Sequence, residues 1–427
     1  MRKRSLHTGS IVSAILLFEI TAFAILAIGS SPFDLRIPAI AVGAIGMFLF
    51  QYGTITAFFP GCDRPSLLIV NFLAAIGLIM QTRINAEYAI RQLLWMGIGM
   101  VGMVVALVGM RRLTFWRKTR IPFIALSLVL LAATLVFGSE QYGATNWIKL
   151  GGFTVQPSEF VKIMTVFVLA SLLDRGKSVP KMLLALFHVG ACMLLLLMAK
   201  DLGAVLLIAG TAIVMLYAAT GSKLLLGLSF GTGAVGAAAA YKLFSHVRTR
   251  VAVWRNPWAD YHGSGYQIVQ GLIGIASGGL FGLGLTRGAP GAIPVVHADY
   301  IFAAICQEFG LIFGLIVIGF YLVFVVRGVL IAMDSRNSFD ALVAVGCATL
   351  ICLQSFIIIA GVCKLLPLTG ITMPFASYGG SSLLSCYLIL GVLQGIAIKN
   401  NDIYREEFED VYDRLEADED DEWEDDE

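Results

Sequence analysis

Apolar residues run through this chain in blocks of about twenty, each closed by a short polar or basic stretch, and a block of that length spans a bilayer as a helix. Twelve such blocks are predicted, at roughly 11–29, 38–58, 66–82, 91–110, 121–138, 158–174, 182–199, 203–220, 223–242, 300–328, 340–362 and 374–398. The blocks are continuous and do not alternate, which favours helices over a membrane β-barrel. The expectation is an all-α integral membrane protein of about twelve transmembrane helices, with one membrane domain over about 5–400 and no soluble catalytic domain. Two connections are long: 139–157, and the 56-residue loop 243–298. Loops of that length are usually functional or disordered. The longer one carries Trp254, Trp258, Tyr261 and Tyr266, then an apolar stretch over 267–277 that predicts a helix along the membrane interface.

Composition agrees: 58% of residues are apolar and mean hydropathy is +0.83. The net charge of +1 hides two opposed regions. From Asp402 onward 16 acids meet 2 bases, whereas the first 401 residues carry 13 acids and 28 bases. The acidic end, 402–427, predicts a solvated, disordered cytoplasmic tail, with docking of a basic partner as the alternative. Basic clusters at Met1–Arg4, Arg111–Arg120 and Arg175–Lys181 fall on one side in a twelve-span count. The positive-inside rule then puts both termini in the cytoplasm and the loops 139–157 and 243–298 outside. The start Met1-Arg2-Lys3-Arg4 reads as an uncleaved signal anchor, since further spans follow. Seven cysteines show no Cys-x-x-Cys spacing and sit mostly in or at the ends of spans, as packing residues do.

With 13 carboxylates ahead of the tail, each can be weighed. Glu19 lies mid-span. Glu159, Asp201, Asp299 and Glu308 stand at the outer ends of helices or a few turns inside, where they could meet in one outward-facing cavity. Glu159 and Lys162 share a helix face. They form either a structural ion pair or a cation for an anionic substrate with an acid that orients it. Asp201 begins a span, where the helix dipole alone welcomes an acid. Asp299 opens the span 300–328 beside His297, close to the aqueous side. An ionised group at a membrane mouth usually serves a wet cavity. Nine residues on, Glu308 would face the opposite side of the same helix and lie about 13.5 Å deeper, as a packing group. The Gly-rich run Gly282–Gly288 follows no strand, so it is not a dinucleotide site, and the five histidines lack zinc-ligand spacing. No organic cofactor is expected, and nothing in the charge pattern points to nucleic acid.

Near the end of the apolar region, Leu366-Pro367 is followed by Pro374-Phe375-Ala376-Ser377-Tyr378-Gly379-Gly380-Ser381-Ser382. Two prolines and repeated small residues suggest either a broken, re-entrant segment lining a cavity or close helix packing. In the first case the helix resuming after Gly380 would aim free N–H groups at an anion.

Taken together, these motifs resemble the SEDS family, the FtsW/RodA/SpoVE-type cell-wall polymerases. The matching runs are Trp147-Ile148-Lys149-Leu150-Gly151 with Gln156-Pro157-Ser158-Glu159-Phe160-Val161-Lys162, then Asp201-Leu202-Gly203. Gly265-Tyr266-Gln267 with Ser277-Gly278-Gly279, His297-Ala298-Asp299-Tyr300-Ile301-Phe302 and the Leu366–Ser382 stretch complete the set. They span about 66–398, so the resemblance implies a ten-helix core over 66–401, with 1–65 an additional two-helix segment and 402–427 outside it. Four positions depart from the family pattern: Asn146 for an Arg, Lys200 for a Pro, Gln307 for a Glu and Lys364 for a Gly.

The resemblance implies a peptidoglycan glycosyltransferase that polymerises lipid II at the outer face of a bacterial cytoplasmic membrane and releases undecaprenyl pyrophosphate. Membrane lipids and a class B penicillin-binding transpeptidase are the implied partners. The family's essential Asp falls on Asp299, expected to be the general base. Trp147, Gln156, Ser158, Glu159, Lys162, Asp201, Arg250, His297, Lys364, Ser377, Tyr378, Gly379, Gly380 and Ser381 are the expected substrate-binding set. Charge on the leaving pyrophosphate would be met by Lys162, Arg250 or a divalent cation (Mg or Mn), the metal option resting on Asp299, Glu159 and Asp201. A lipid-linked precursor flippase is the rival reading, and an inactive scaffold for the transpeptidase the third.

Overall fold

The structure, a computed structural model, describes residues 8–30, 32–141, 144–150, 153–174 and 178–424. The basic start Met1–Arg4, Gly151 and Gly152, and Arg175 and Lys177 of the third basic cluster lie outside the described residues.

Fifteen α-helices are described: α1 (Thr8–Gly29), α2 (Arg36–Phe58), α3 (Arg64–Ile84), α4 (Ala86–Arg112), α5 (Arg120–Phe137), α6 (Pro157–Leu173), α7 (Val179–Met198), α8 (Leu202–Thr220), α9 (Lys223–Leu243), α10 (Ser245–Arg255), α11 (Tyr266–Gly278), α12 (Ile301–Phe309), α13 (Leu311–Met333), α14 (Ser338–Val362) and α15 (Gly380–Glu424). Eleven of the described helices are long and apolar enough to cross a membrane. The seventeen-residue α6 falls just short in length, yet it runs through the centre of the bundle against α5, α7, α8 and α14. Twelve predicted spans thus become twelve long helices, and the protein is a multi-pass, all-α membrane protein. Helices α3, α6, α14 and the first half of α15 are the buried centre; α9, packed on α8 at the edge, buries none of its residues.

Three expectations are corrected. Segment 139–157 is not a plain loop. It pairs as a three-stranded antiparallel sheet, β1 (Ser139–Gln141), β2 (Ala144–Leu150) and β3 (Phe153–Val155), in the order β1-β2-β3. Backbone leaving a helix needs partners, and these strands supply them. Second, 300–328 is not one helix: Gly310, at φ 90°, ends α12 and starts α13. Glu308 therefore does not sit deeper than Asp299 along a common axis. It lies at the same end of the bundle, ion-paired at 2.9 Å with Arg83 in the last turn of α3. The apolar stretch 267–277 does form a helix, α11, which packs closely on α12, with Gly271 against the Tyr300 ring and Gly278 against the Cys306 carbonyl. Third among the corrections, the acidic segment is helical as far as Glu424 where composition predicts disorder. Glutamate has good helix propensity, and extending an existing helix avoids the cost of nucleation. Its first turns are also tied down, by Arg111–Asp402 at 2.8 Å and Arg336–Glu407 at 2.6 Å.

The Pro367–Gly379 segment is a break between α14 and α15. Its backbone is satisfied by protein. Gln354 donates to the Thr372 carbonyl (3.0 Å), Tyr321 to that of Pro374 (2.5 Å), and Arg250 to those of Leu368 (3.2 Å) and Thr369 (2.9 Å). Gly77 of α3 lets this segment approach, since a Cβ there would stand 2.4 Å from the Ala376 carbonyl oxygen. The alternatives left by the sequence are both present: a broken segment, packed through small residues.

Candidate active site

A cavity of about 800 Å³ opens at the end of the bundle that carries the sheet and the loop 243–298. Its walls come from the first turns of α4, α6, α8 and α15, from β2 and β3, from α10 and α11, and from the broken segment. Trp147, Gln156, Glu159, Asp201, Arg250, His297, Asp299, Tyr378, Gly379 and Gly380 all line it. These positions span more than half the chain; Glu159, Asp201 and Asp299 were expected to meet from their places at the outer ends of helices, and the others to join them through the family resemblance.

Asp299 is held from behind. The carbonyl of His297 accepts from Tyr378 N (2.8 Å) and Gln81 Nε2 (2.8 Å), and that of Ala298 accepts from Ser377 Oγ (2.5 Å). The 297–299 segment is therefore laced to the broken segment and to α3. Gly370, at φ 74°, lies next to the carboxylate: a Cβ there would be in van der Waals contact with Asp299 Oδ2 at 3.7 Å. Among the described residues the Asp299 carboxylate has no hydrogen-bond or ion-pair partner. It is half-buried, open to the cavity on one side and enclosed by protein on the others. Burial pushes its pKa up to about 7, and the nearby Arg250 guanidinium pulls the other way. A carboxyl group poised near neutrality in a polar cavity is suited to take up a proton.

Arg250 itself is depressed from the ordinary arginine value by burial, with Asp201 and Asp299 opposing that shift. It lines the cavity while bracing the Leu368 and Thr369 carbonyls, so it fixes the broken segment and supplies positive charge at once. His297 stacks on Tyr88 at 4.5 Å and meets Tyr378 edge-on at 5.8 Å. Burial lowers its pKa, which favours the neutral ring.

Asp201 caps α8 by accepting from Ala204 N (3.1 Å), and it also collects Asn146 Nδ2 (3.1 Å), Gln156 Nε2 (3.0 Å) and Ser158 Oγ (3.0 Å). It thus ties β2, α6 and α8 together. Glu159 pairs with Lys162 at 2.9 Å and accepts from Ser385 Oγ at 2.6 Å. Lys162 is 3% exposed and lies beneath the cavity floor, bonded also to Gln354, so its geometry is that of the structural pair. Ser158, Ser377 and Ser381 likewise stand behind the wall. Ser381 Oγ accepts from Gln156 N at 3.3 Å. Lys364 is outside the cavity lining, and its carbonyl accepts from Trp254 Nε1 at 3.0 Å.

The three-carboxylate cation site does not fit these contacts. Both oxygens of Asp201 and Oε2 of Glu159 are already taken by donors, and no cluster of three or more potential ligands exists among the described residues.

Several cavity residues were absent from the expected set: Arg91, Trp95, Asn146, Thr154, Lys200 and Thr372. Asn146 and Lys200 had been marked only as departures. Arg91 forms an i,i+4 pair with Glu87 at 2.6 Å, and in sequence such a pair reads as an ordinary exposed helix contact.

The model of the FtsW/RodA/SpoVE family, described as "Cell cycle protein", matches residues 65–402. The chain belongs to that family. It is 34% identical over 397 residues to the peptidoglycan glycosyltransferase RodA of Mycobacterium tuberculosis, covering 82% of each chain. It is 35% identical over 363 residues to the stage V sporulation protein E of Bacillus subtilis, covering 78% of this chain and 96% of the relative. A solved structure described as the "structural coordination of polymerization and crosslinking by a peptidoglycan synthase complex" is 25% identical with a TM-score of 0.69, covering 80% and 98%. The family range begins one residue into α3, so α1 and α2 lie before it.

Proposed function

We propose that this chain is a peptidoglycan glycosyltransferase that extends glycan strands from lipid II, with Asp299 as the general base. The observation that carries the assignment is the Asp299 carboxylate in the cavity wall, without a hydrogen-bond or ion-pair partner among the described residues and with its pKa pushed up to about 7 beside Arg250. In the reaction, the acceptor sugar's 4-hydroxyl attacks the donor's anomeric carbon. The new C–O bond forms as the bond to phosphate breaks, the proton passes to Asp299, and undecaprenyl pyrophosphate leaves with the electron pair. One inverting displacement needs no second carboxylate, and Glu308 is engaged elsewhere by Arg83. Arg250, and the first N–H groups of α15 beside Gly379 and Gly380, are placed to meet negative charge on the leaving group.

The same reading puts the cavity on the outer face of the cytoplasmic membrane and both termini inside, with a class B penicillin-binding transpeptidase as partner. A flippase is not favoured: the cavity lies at one end only, and ion pairs link the helices at the other. The test is polymerisation of lipid II by the purified chain, with and without that partner. Glycan strands from wild type and none from Asp299→Asn are expected; equal synthesis by both would remove the base, and translocation without synthesis would revive the flippase.

A further inference from the structure

Helices α1 and α2 lie ahead of the matched family range, yet they do not pack at random on its flank. Ala22, Phe23 and Leu26 of α1 and Ile37, Ile40 and Ala44 of α2 form one cluster with Leu78 and Ile79 of α3 and Ala86 and Ala89 of α4. Leu285 and Phe309 pack against the same cluster. Ala86 and Ala89 open the helix whose Tyr88 stacks on His297 and whose Arg91 lines the cavity. Phe309 closes α12, the helix that begins two residues after Asp299. The added pair therefore touches the supports of Asp299 on both sides.

At the α12 end the contact is a clasp. Arg83 donates to Glu308 Oε1 (2.9 Å) and to the carbonyls of Gly288 (2.9 Å) and Thr286 (3.2 Å), while Glu308 Oε2 accepts from Thr286 N (3.4 Å). Leu283 N and Gly284 N donate to the carbonyls of Gln307 (3.0 Å) and Glu308 (2.9 Å), so the loop wraps the end of α12. Thr286 sits at φ 78°, a conformation that a β-branched residue keeps only where its surroundings impose it. What lies against it is Gly29, the last residue of α1, where a Cβ would stand 3.1 Å from Thr286 Cγ2.

We propose that the α1–α2 pair is a positioning device for the reaction: Gly29 holds the Thr286 turn, Thr286 and Arg83 hold Glu308, and Glu308 fixes α12 and with it Asp299. The proposal rests on the assignment of Asp299 made above. Helix α12 is nine residues long and all but its last residue, Phe309, is buried, so it moves as a unit and a shift at Glu308 reaches Asp299. Arg83 does not line the cavity; it is a positioning residue.

The full-length chain, purified with its transpeptidase partner and given lipid II, tests this by kcat and KM. Arg83→Gln should lower kcat roughly 10- to 100-fold, the range expected for a misplaced reacting group. KM should stay within about twofold, because no substrate contact is removed. Arg83→Lys should recover part of the loss. Gly29→Val, which presses on Thr286, should lower kcat several-fold in the wild-type background and add nothing to Arg83→Gln, since contacts in one network do not act additively. Thr286→Gly, which releases the strained turn, should make Gly29→Val harmless.

Unchanged kcat in Arg83→Gln, a loss confined to KM, or additive effects of the two substitutions would overturn the proposal. If Arg83→Gln does not yield a monodisperse protein, the Gly29–Thr286 pair decides alone, and a Gly29→Val loss that Thr286→Gly does not rescue counts against it. Full activity in Asp299→Asn would end the underlying assignment. An inactive Asp299→Asn beside unaffected Arg83 and Gly29 variants would end this inference only.

Discussion

Away from the cavity, Asp63 pairs with Arg327, Asp174 with Arg117 at 3.5 Å, Asp340 with Lys399 at 2.6 Å and Asp402 with Arg111 at 2.8 Å. At the cavity end, Asp201 is held by neutral donors, Glu159 by a lysine under the floor, and Asp299 by nothing among the described residues. The far end uses these acids as fasteners between helices, as the cavity end uses Glu308 with Arg83. The other keeps one acid out of every pair, and there the backbone is strained: Lys200, Val295, Lys364 and Phe375 all have positive φ close to the cavity or in the segment that builds it. Fixed ion pairs tie helices together but cannot exchange protons with a substrate. A lone carboxylate can, provided the rest of the fold holds it in place.

Changes at the cavity end should break activity more than stability, and changes at the far end the reverse. The largest effect should come from Asp299→Asn, which should cut lipid II polymerisation by roughly 10²- to 10⁴-fold while leaving the melting temperature near wild type. Next is pH. The ionised form is the base and burial has raised its pKa to about 7, so the rate should climb as pH rises through about 7 and then level off. Removing the cation that pulls this value down, in Arg250→Gln, should move the inflection upward in a pH–rate profile. Gly77→Val should destabilise by roughly 1–3 kcal/mol, because a side chain there collides with the backbone of the broken segment, and thermal unfolding will show it. At the far end Asp63→Asn should cost roughly 1–3 kcal/mol by the same measurement, with kcat per folded molecule unchanged. The smallest effect is Arg336→Ala: its partner Glu407 is 48% exposed, and pairs of that kind contribute about 0–1 kcal/mol.

Much of the fold was legible because hydrocarbon imposes so few choices. Twelve apolar blocks matched twelve long helices, and the caps at Asp201 and before Pro157 fell where Asp and Pro are favoured. The site was legible in part. Asp299, Arg250, His297 and Tyr378 line one cavity, while Lys162, Lys364 and three serines do not. Helical periodicity places Glu159 and Lys162 on one face but is silent on which neighbour they meet, and Gln354 and Ser385 decide that. The turn at Gly310 was hidden because the flanking residues are apolar on both sides, so hydropathy runs straight through it. With that turn missed, Glu308 looked like a deep packing group rather than the partner of Arg83, 225 positions away along the chain.

By itself, then, the sequence determined how many helices cross the membrane, where the scarce charges stand and which family the chain resembles. Those follow from local rules: transfer free energy over twenty residues, dipole and capping chemistry within a turn, and motifs in order. Only the tertiary structure decided that Asp299 is without a partner among the described residues, that Lys162 lies below the floor, and that α1 reaches Thr286. Each of those depends on which distant segments share a few ångströms of space, and the burial that sets a carboxylate's pKa belongs to that shared space and not to any stretch of chain.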